Sequence, residues 1–382
     1  MKNKKLTLVE SVMLVAGAGI GTGILTIPYA IDKIGIFGTL AALVLAYGAS
    51  AMMYLMIADL ARNSQKSNDL LGILDEHLFS GKGKKALRIS FFVLLVLLLL
   101  ENLVVYILCA GDMLVDLFGM DDTLAKIIFY LLASLVILFG IKGMGVGEKI
   151  SVTAIGCVVL TLTVLSCLDI KGSLRLSFGA PDIVFAVYGL FMFAFSAIFS
   201  IIQVCNHIEK PEQAGKAVIG GLSINAIITV IFAAATILGS ETITEVATIG
   251  LAQGIGIPFV KVMCSLLVLF AMFTSFWSSA FAFTDVVRGQ LKTPQPAAWF
   301  LATAPAALIA LFIPLTVLDF VQIGAGALSV ILVIVVLPAY YNAAKSATQP
   351  LLLGKFATSK VLIVLVAMAI LLMAISSFIS IP

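Results

Sequence analysis

Charge is what this sequence has least of. Asp, Glu, Lys and Arg together make up 11% of 382 residues. Soluble domains carry about 25%, so a water-facing fold is excluded. Histidine occurs twice, at His77 and His207, and neither lies in the HExxH setting of a zinc protease. The five cysteines (Cys109, Cys157, Cys167, Cys205, Cys264) fall mostly within apolar runs and never as CxxC. A disulfide framework or metal cluster is excluded on that spacing. A GxxxxGK[ST] loop is missing as well, which excludes direct drive by ATP. With no Ser/His or Asp/Asp set at membrane depth, the chain reads as a non-enzyme. A cleavable signal peptide is excluded too: the first apolar run is too long and is one of many.

Hydrophobic residues, by contrast, make up 62% of the chain. Apolar runs of about 20 residues recur along its length, the signature of membrane-crossing helices. Eleven spans are predicted: 8–31, 35–60, 87–118, 123–141, 149–169, 182–206, 216–239, 258–287, 297–316, 319–344 and 360–381. The third and eighth exceed what a bilayer needs and are expected to tilt. With the N-terminus in the cytoplasm, 18 of the 23 Lys and Arg residues fall in inside segments, the bias expected of a cytoplasmic face. Leu70, Leu71, Leu74 and Leu78 in the inside stretch 66–85 have helical spacing and predict an amphipathic helix on the membrane face. The outside stretch 240–256 is expected to hold a short helix over the external vestibule. Short tails and tight loops fit a prokaryotic plasma (inner) membrane protein of one domain, 1–382. No nucleic-acid partner is expected, and a monomer suffices.

One stretch stands apart, VAGAGIGTGILTIPYA at 15–30. Gly17, Gly19, Gly21 and Gly23 occupy alternate positions and Pro28 follows. Each glycine inside a helix costs about 1 kcal/mol relative to alanine, roughly 4 together. A break in the first span is therefore expected. In hydrocarbon such a break leaves backbone groups unpaired and survives where it lines a cavity that something polar occupies. A substrate and a coupling ion fit that description. The competing reading is close packing through two GxxxG pairs, but the pairs lie on opposite faces and packing needs only one. In the sixth span the centre, Phe193-Ala194-Phe195-Ser196-Ala197, holds no helix breaker, and composition alone reads it as a packed aromatic helix.

GAGIGTGILTIPYA resembles the opening motif of the amino acid/auxin permease family. FAFSAIFSIIQVCNHIEKPEQAGKA, with its turn Glu209-Lys210-Pro211, resembles that family's sixth-span motif, and SNDLLGILDEHLFSGKGKK its first cytoplasmic loop. The resemblance implies an all-α membrane protein of the leucine-transporter fold in the amino acid–polyamine–organocation superfamily. It implies about 11 transmembrane helices: two inverted five-helix repeats (1–170 and 181–345) plus an extra helix (358–382). Helices 1 and 6 would be broken at the midplane, with the substrate held between them.

On that basis Ala18, Gly19, Ile20, Gly21, Thr22, Gly23, Phe193, Ala194, Phe195 and Ser196 are the candidate substrate-binding residues. Exposed N–H groups at a half-helix start suit an amino acid's carboxylate, and unwound carbonyls suit its ammonium. Phe193 and Phe195 are candidates for an aromatic lid. Ala271, Thr274 and Ser275 place one carbonyl and two hydroxyls in one turn, oxygen ligands that suit a hard cation. The resemblance adds Ala16 and Gly19 to a Na+ site; no other cofactor is expected. Glu101, the one acid recognised deep in an apolar run, is a candidate proton site or a structural hydrogen-bonding group. Asp59, Asp285, Arg288 and Glu209 read as a solvated or gating charge cluster at the inner ends of spans. The function implied is secondary active amino acid transport by alternating access, as a symporter or permease coupled to Na+ or H+. The alternative is a transport-inactive amino acid sensor of the same fold.

Overall fold

The computed structural model describes residues 5–64, 69–79, 83–313, 335–379 and 381. Its helices are α1 (Leu8–Gly19), α2 (Gly23–Arg62), α3 (Leu70–His77), α4 (Lys84–Phe118), α5 (Asp122–Leu138), α6 (Gly140–Leu168), α7 (Pro181–Ala194), α8 (Ile198–His207), α9 (Ala214–Gly239), α10 (Ala247–Ile255), α11 (Pro258–Leu291), α12 (Gln295–Phe312), α13 (Leu337–Lys345) and α14 (Lys360–Ser376). Among the described residues, seven helical stretches are long and apolar enough to cross a bilayer, counting α7 and α8 as one. α1 and α14 are shorter apolar helices. Large apolar side chains such as Val44, Leu97, Leu132, Leu160 and Leu372 point outward, while Ser, Thr and Asn side chains are buried within. That inversion suits a hydrocarbon solvent.

The first span begins with a capping box. The Glu10 amide donates to the Thr7 hydroxyl at 3.3 Å, and the Thr7 amide donates to Glu10 Oε2 at 2.8 Å, which pairs two otherwise orphaned donors. α2 comprises the second half of span 1 and all of span 2. The corner between them is Gly35, at φ 68° and ψ −176°, a conformation open to glycine and strained for other residues. The incoming 175–179 segment is stitched to this corner by Ile36 N–H to Arg175 O (2.9 Å) and Gly179 N–H to Ile34 O (2.9 Å). α1 packs against α6, α9 and α11, and α11 against α4 and α6. The break in span 1 therefore lies inside the bundle.

Three expectations change. Span 5 starts at Gly140 rather than 149. The glycines of KGMGVGE read as a loop, yet they permit close helix contact. The Cβ missing at Gly145 would meet Glu10, and the one missing at Gly147 would lie 3.0 Å from the Trp277 ring. Span 6 is broken, with Phe195, Ser196 and Ala197 outside the helices on either side, so composition alone misread it. Asp59 is buried rather than solvated. It accepts the Leu352 amide at 2.8 and 2.9 Å and pairs with Arg62 at 3.4 Å. Arg288 and Glu209 are exposed and make no ion pair with Asp59 among the described residues. The short helices α3 and α10 lie where helices were expected. Most of the tenth span, 319–334, lies outside the described residues.

Candidate functional site

The two broken spans present free backbone groups to one place. α1 ends at Gly19. The Ile20 amide donates back to Ala16 O and Gly17 O (3.2 and 3.1 Å), and the Gly21 amide to Gly19 O (2.9 Å). Where α2 begins, the amides of Thr22, Gly23 and Ile24 make no backbone hydrogen bond among the described residues. In span 6 the Ser196 amide donates to Phe193 O (2.9 Å), and the amides of Ile198, Phe199 and Ser200 at the start of α8 are likewise free of backbone partners. Two helix N-termini thus converge, and each carries a partial positive charge.

What holds span 6 open comes from elsewhere in the chain. The Tyr54 hydroxyl, on α2, donates to Phe195 O and accepts the Ala197 amide at 3.2 Å. Asn225, on α9, donates its Nδ2 to Ala194 O at 2.9 Å. Together they satisfy groups that a continuous helix would have paired internally.

Between the breaks lies a cavity of about 80 Å³, small enough for one solute to touch several walls. Ala18, Gly19, Gly21, Thr22, Gly23, Phe193, Ala194 and Ser196 line it, eight of the ten residues assigned from sequence. Ile20 and Phe195 are fully buried and face away. Phe195 stacks on Phe191 at 5.9 Å and meets Tyr47 edge-on at 6.5 Å, so it is core rather than lid. α4 supplies a further wall that includes Glu101, Asn102 and Tyr106. Glu101 is only partly buried and belongs to the cavity.

The alternating glycines divide between two faces. A Cβ at Gly19 would press on Asn225 and Ala194 O, and one at Gly23 would lie 2.8 Å from the Ala194 Cβ. On the other face, a Cβ at Gly21 would lie 3.0 Å from the Ser275 hydroxyl. At Gly17 it would overlap Glu148 Oε2 and sit 3.1 Å from the Thr274 Cβ. The run therefore serves the break and close packing at once. Thr274 and Ser275 part company: Ser275 faces Gly21 and the cavity, whereas Thr274 lies beside Gly17 and Glu148. Thr274 donates to Ala271 O at 2.9 Å. Gly19 O already accepts the Gly21 amide, and Gly19 faces α9 rather than Thr274.

The family described as "Transmembrane amino acid transporter protein" matches residues 4–381. The chain belongs to that family. This bears out the resemblance in the glycine run and the sixth-span motif, and a transporter family and fold make the protein a non-enzyme of the membrane. No curated protein matches the sequence. Among solved structures, MhsT in complex with L-phenylalanine superimposes with a TM-score of 0.71 at 12% identity, covering 99% of this chain and 100% of that one. Mhp1, a nucleobase-cation-symport-1 family transporter in a closed conformation with bromovinylhydantoin bound, gives 0.67 at 12% identity, covering 98% and 92%. The transporter thus has the leucine-transporter fold, with its first and sixth spans broken.

Sequence reasoning about this amino acid transporter missed Asn102 and Tyr106 on the cavity wall, and Tyr54, Asn225 and Glu148 beside the breaks. Tyr54 and Asn225 carry a weak signal, as polar side chains inside apolar runs. Glu148 is fully buried, and both its carboxylate oxygens lack a hydrogen-bond partner among the described residues. Glu101 is therefore not the one deep acid; the late start assigned to span 5 had left Glu148 in a loop.

Proposed function

We propose that the protein is a secondary active amino acid transporter of the plasma membrane, coupled to Na+ or H+ and working by alternating access, with its N-terminus in the cytoplasm. One observation carries this reading. Two half-helix N-termini, at Thr22–Ile24 and Ile198–Ser200, converge on one cavity. Free amides at a helix start suit a carboxylate, and glycine lets the ligand approach the backbone. The amides of Thr22, Gly23 and Ile24 would take the substrate carboxylate. Unwound carbonyls of Ala18 and Phe193–Ser196, with Glu101 on the α4 wall, would take the ammonium. Ala16, Ala271 and Thr274 would contribute to a cation site behind the break, with Gly19 and Ser275 nearer the cavity.

Lys and Arg placement supports the cytoplasmic N-terminus, and the five-plus-five inverted repeat fits breaks in the first and sixth spans. Uptake of radiolabelled amino acids into proteoliposomes, with Na+ and pH gradients imposed one at a time, tests the reading. Accumulation driven by one of the gradients is expected. Saturable binding with no flux under any gradient would mark a sensor instead.

A further inference from the structure

Glu148 is the buried polar group that this reading leaves without a role. Its side chain is fully buried on α6, and neither carboxylate oxygen has a donor among the described residues. The nearby cations on α6 are unavailable: Lys142 pairs with Glu10 at 2.6 Å, and Lys149 points outward. A carboxylate without a partner in such surroundings is very costly.

The groups around it make matters worse for an anion alone. Glu148 Oε2 occupies the space where a Cβ on Gly17 would stand, so the carboxylate lies against the backbone near the end of α1. That end is the negative pole of the helix. The Thr274 Cβ borders the same point at 3.1 Å, and the Thr274 hydroxyl already gives its hydrogen to Ala271 O, which leaves it lone pairs to offer. On the other side, Val152 Cγ2 lies 3.0 Å from that point. The carboxylate is therefore sealed between the negative end of α1 and the Thr274 and Val152 side chains, with no cation paired to it among the described residues.

We propose that Glu148 is the anionic ligand of a monovalent-cation site between α1, α6 and α11, completed by carbonyls at the end of α1 and the Thr274 hydroxyl. All-oxygen donors select a hard cation. One carboxylate balances one charge, and no group of three His, Cys, Asp or Glu occurs among the described residues to hold a divalent ion. The inference rests on the cation-coupled reading above and supplies the formal charge that reading lacked. It also explains why residue 17 must be glycine: any side chain would stand where the carboxylate does.

The test uses purified full-length protein, titrated with NaCl against choline chloride at constant ionic strength. Trp277, packed against Gly147 beside the site, reports by fluorescence, and the thermal unfolding midpoint gives a second readout. Wild type should respond saturably to Na+, with Li+ in part and K+ not. Glu148→Gln should weaken Na+ affinity on the order of tenfold or more, as loss of a ligand charge demands, while amino acid still binds at saturating salt. If Glu148→Gln titrates like wild type, the inference falls and sodium coupling through α1 and α11 stands. If wild type responds to no alkali cation, the inference and sodium coupling fall together, and proteoliposome uptake still judges amino acid transport. Should Glu148→Gln not yield monodisperse protein, Glu148→Asp decides, since unchanged affinity and selectivity there overturn the inference.

Discussion

Among the described residues, the carboxylates of Glu101 and Glu148 lie on neighbouring sides of the first break. Glu101 on α4 is partly exposed and faces the cavity between the broken spans. Glu148 on α6 is fully buried, sealed behind Gly17. An acid that water or a ligand can reach is solvated when ionised. One that neither can reach must hold a counter-ion or a proton. On the reading proposed above, Glu101 serves the substrate and Glu148 the coupling cation.

The contrast breaks most completely at the glycines. Gly21→Val places a branched side chain against the Ser275 hydroxyl at the cavity wall and should abolish amino acid binding in monodisperse protein. Retained affinity in an equilibrium binding assay would show that backbone approach at Gly21 is not needed. Gly17→Ala acts on the sealed side. Its methyl takes the space of Glu148 Oε2, and overpacking of this kind costs about 1–3 kcal/mol. A lower melting temperature and weaker cation response are expected, with amino acid affinity at saturating salt nearly unchanged.

Glu101→Gln probes the exposed acid alone. Hydrogen bonds to charged groups contribute about 1.5–3 kcal/mol, so amino acid affinity should fall roughly tenfold or more while the cation titration keeps its midpoint. A shifted midpoint with unchanged amino acid affinity would erase the distinction between the two acids. The smallest effect is expected at Lys142→Met, which removes the partner of Glu10 at the end of the bundle that carries the N-terminus. The pair is only partly buried, so about 1 kcal/mol or less of stability should be lost, read by thermal unfolding, with no change in transport.

Much of this architecture is legible in the sequence because lipid imposes it. Apolar runs of span length give the helices, and the glycine run gives the first break. The second break is illegible locally because its causes are remote. Tyr54 and Asn225 satisfy the opened backbone of Phe195–Ala197 and Ala194 from positions 141 and 31 residues away in sequence. The family motif carries that information where composition does not. Glu148 is hidden for a different reason. Gly143, Gly145 and Gly147 lower the local hydropathy and suggest a loop, although in the fold each meets another side chain closely. Sequence reading placed Phe195 in the site through its motif, whereas packing against Phe191 and Tyr47 turns it away.

At the end of the bundle that carries the N-terminus, Leu6 and Ile208 form an isolated parallel bridge. The Leu6 amide donates to His207 O and the Glu209 amide to Leu6 O, both at 2.9 Å. The bridge works as a hasp, fastening the first half of span 1 to the second half of span 6 through main-chain bonds. No substitution that preserves the backbone donor removes it, so selection on side chains cannot easily loosen it. It ties α1 to the end of α8 through bonds that no side chain supplies.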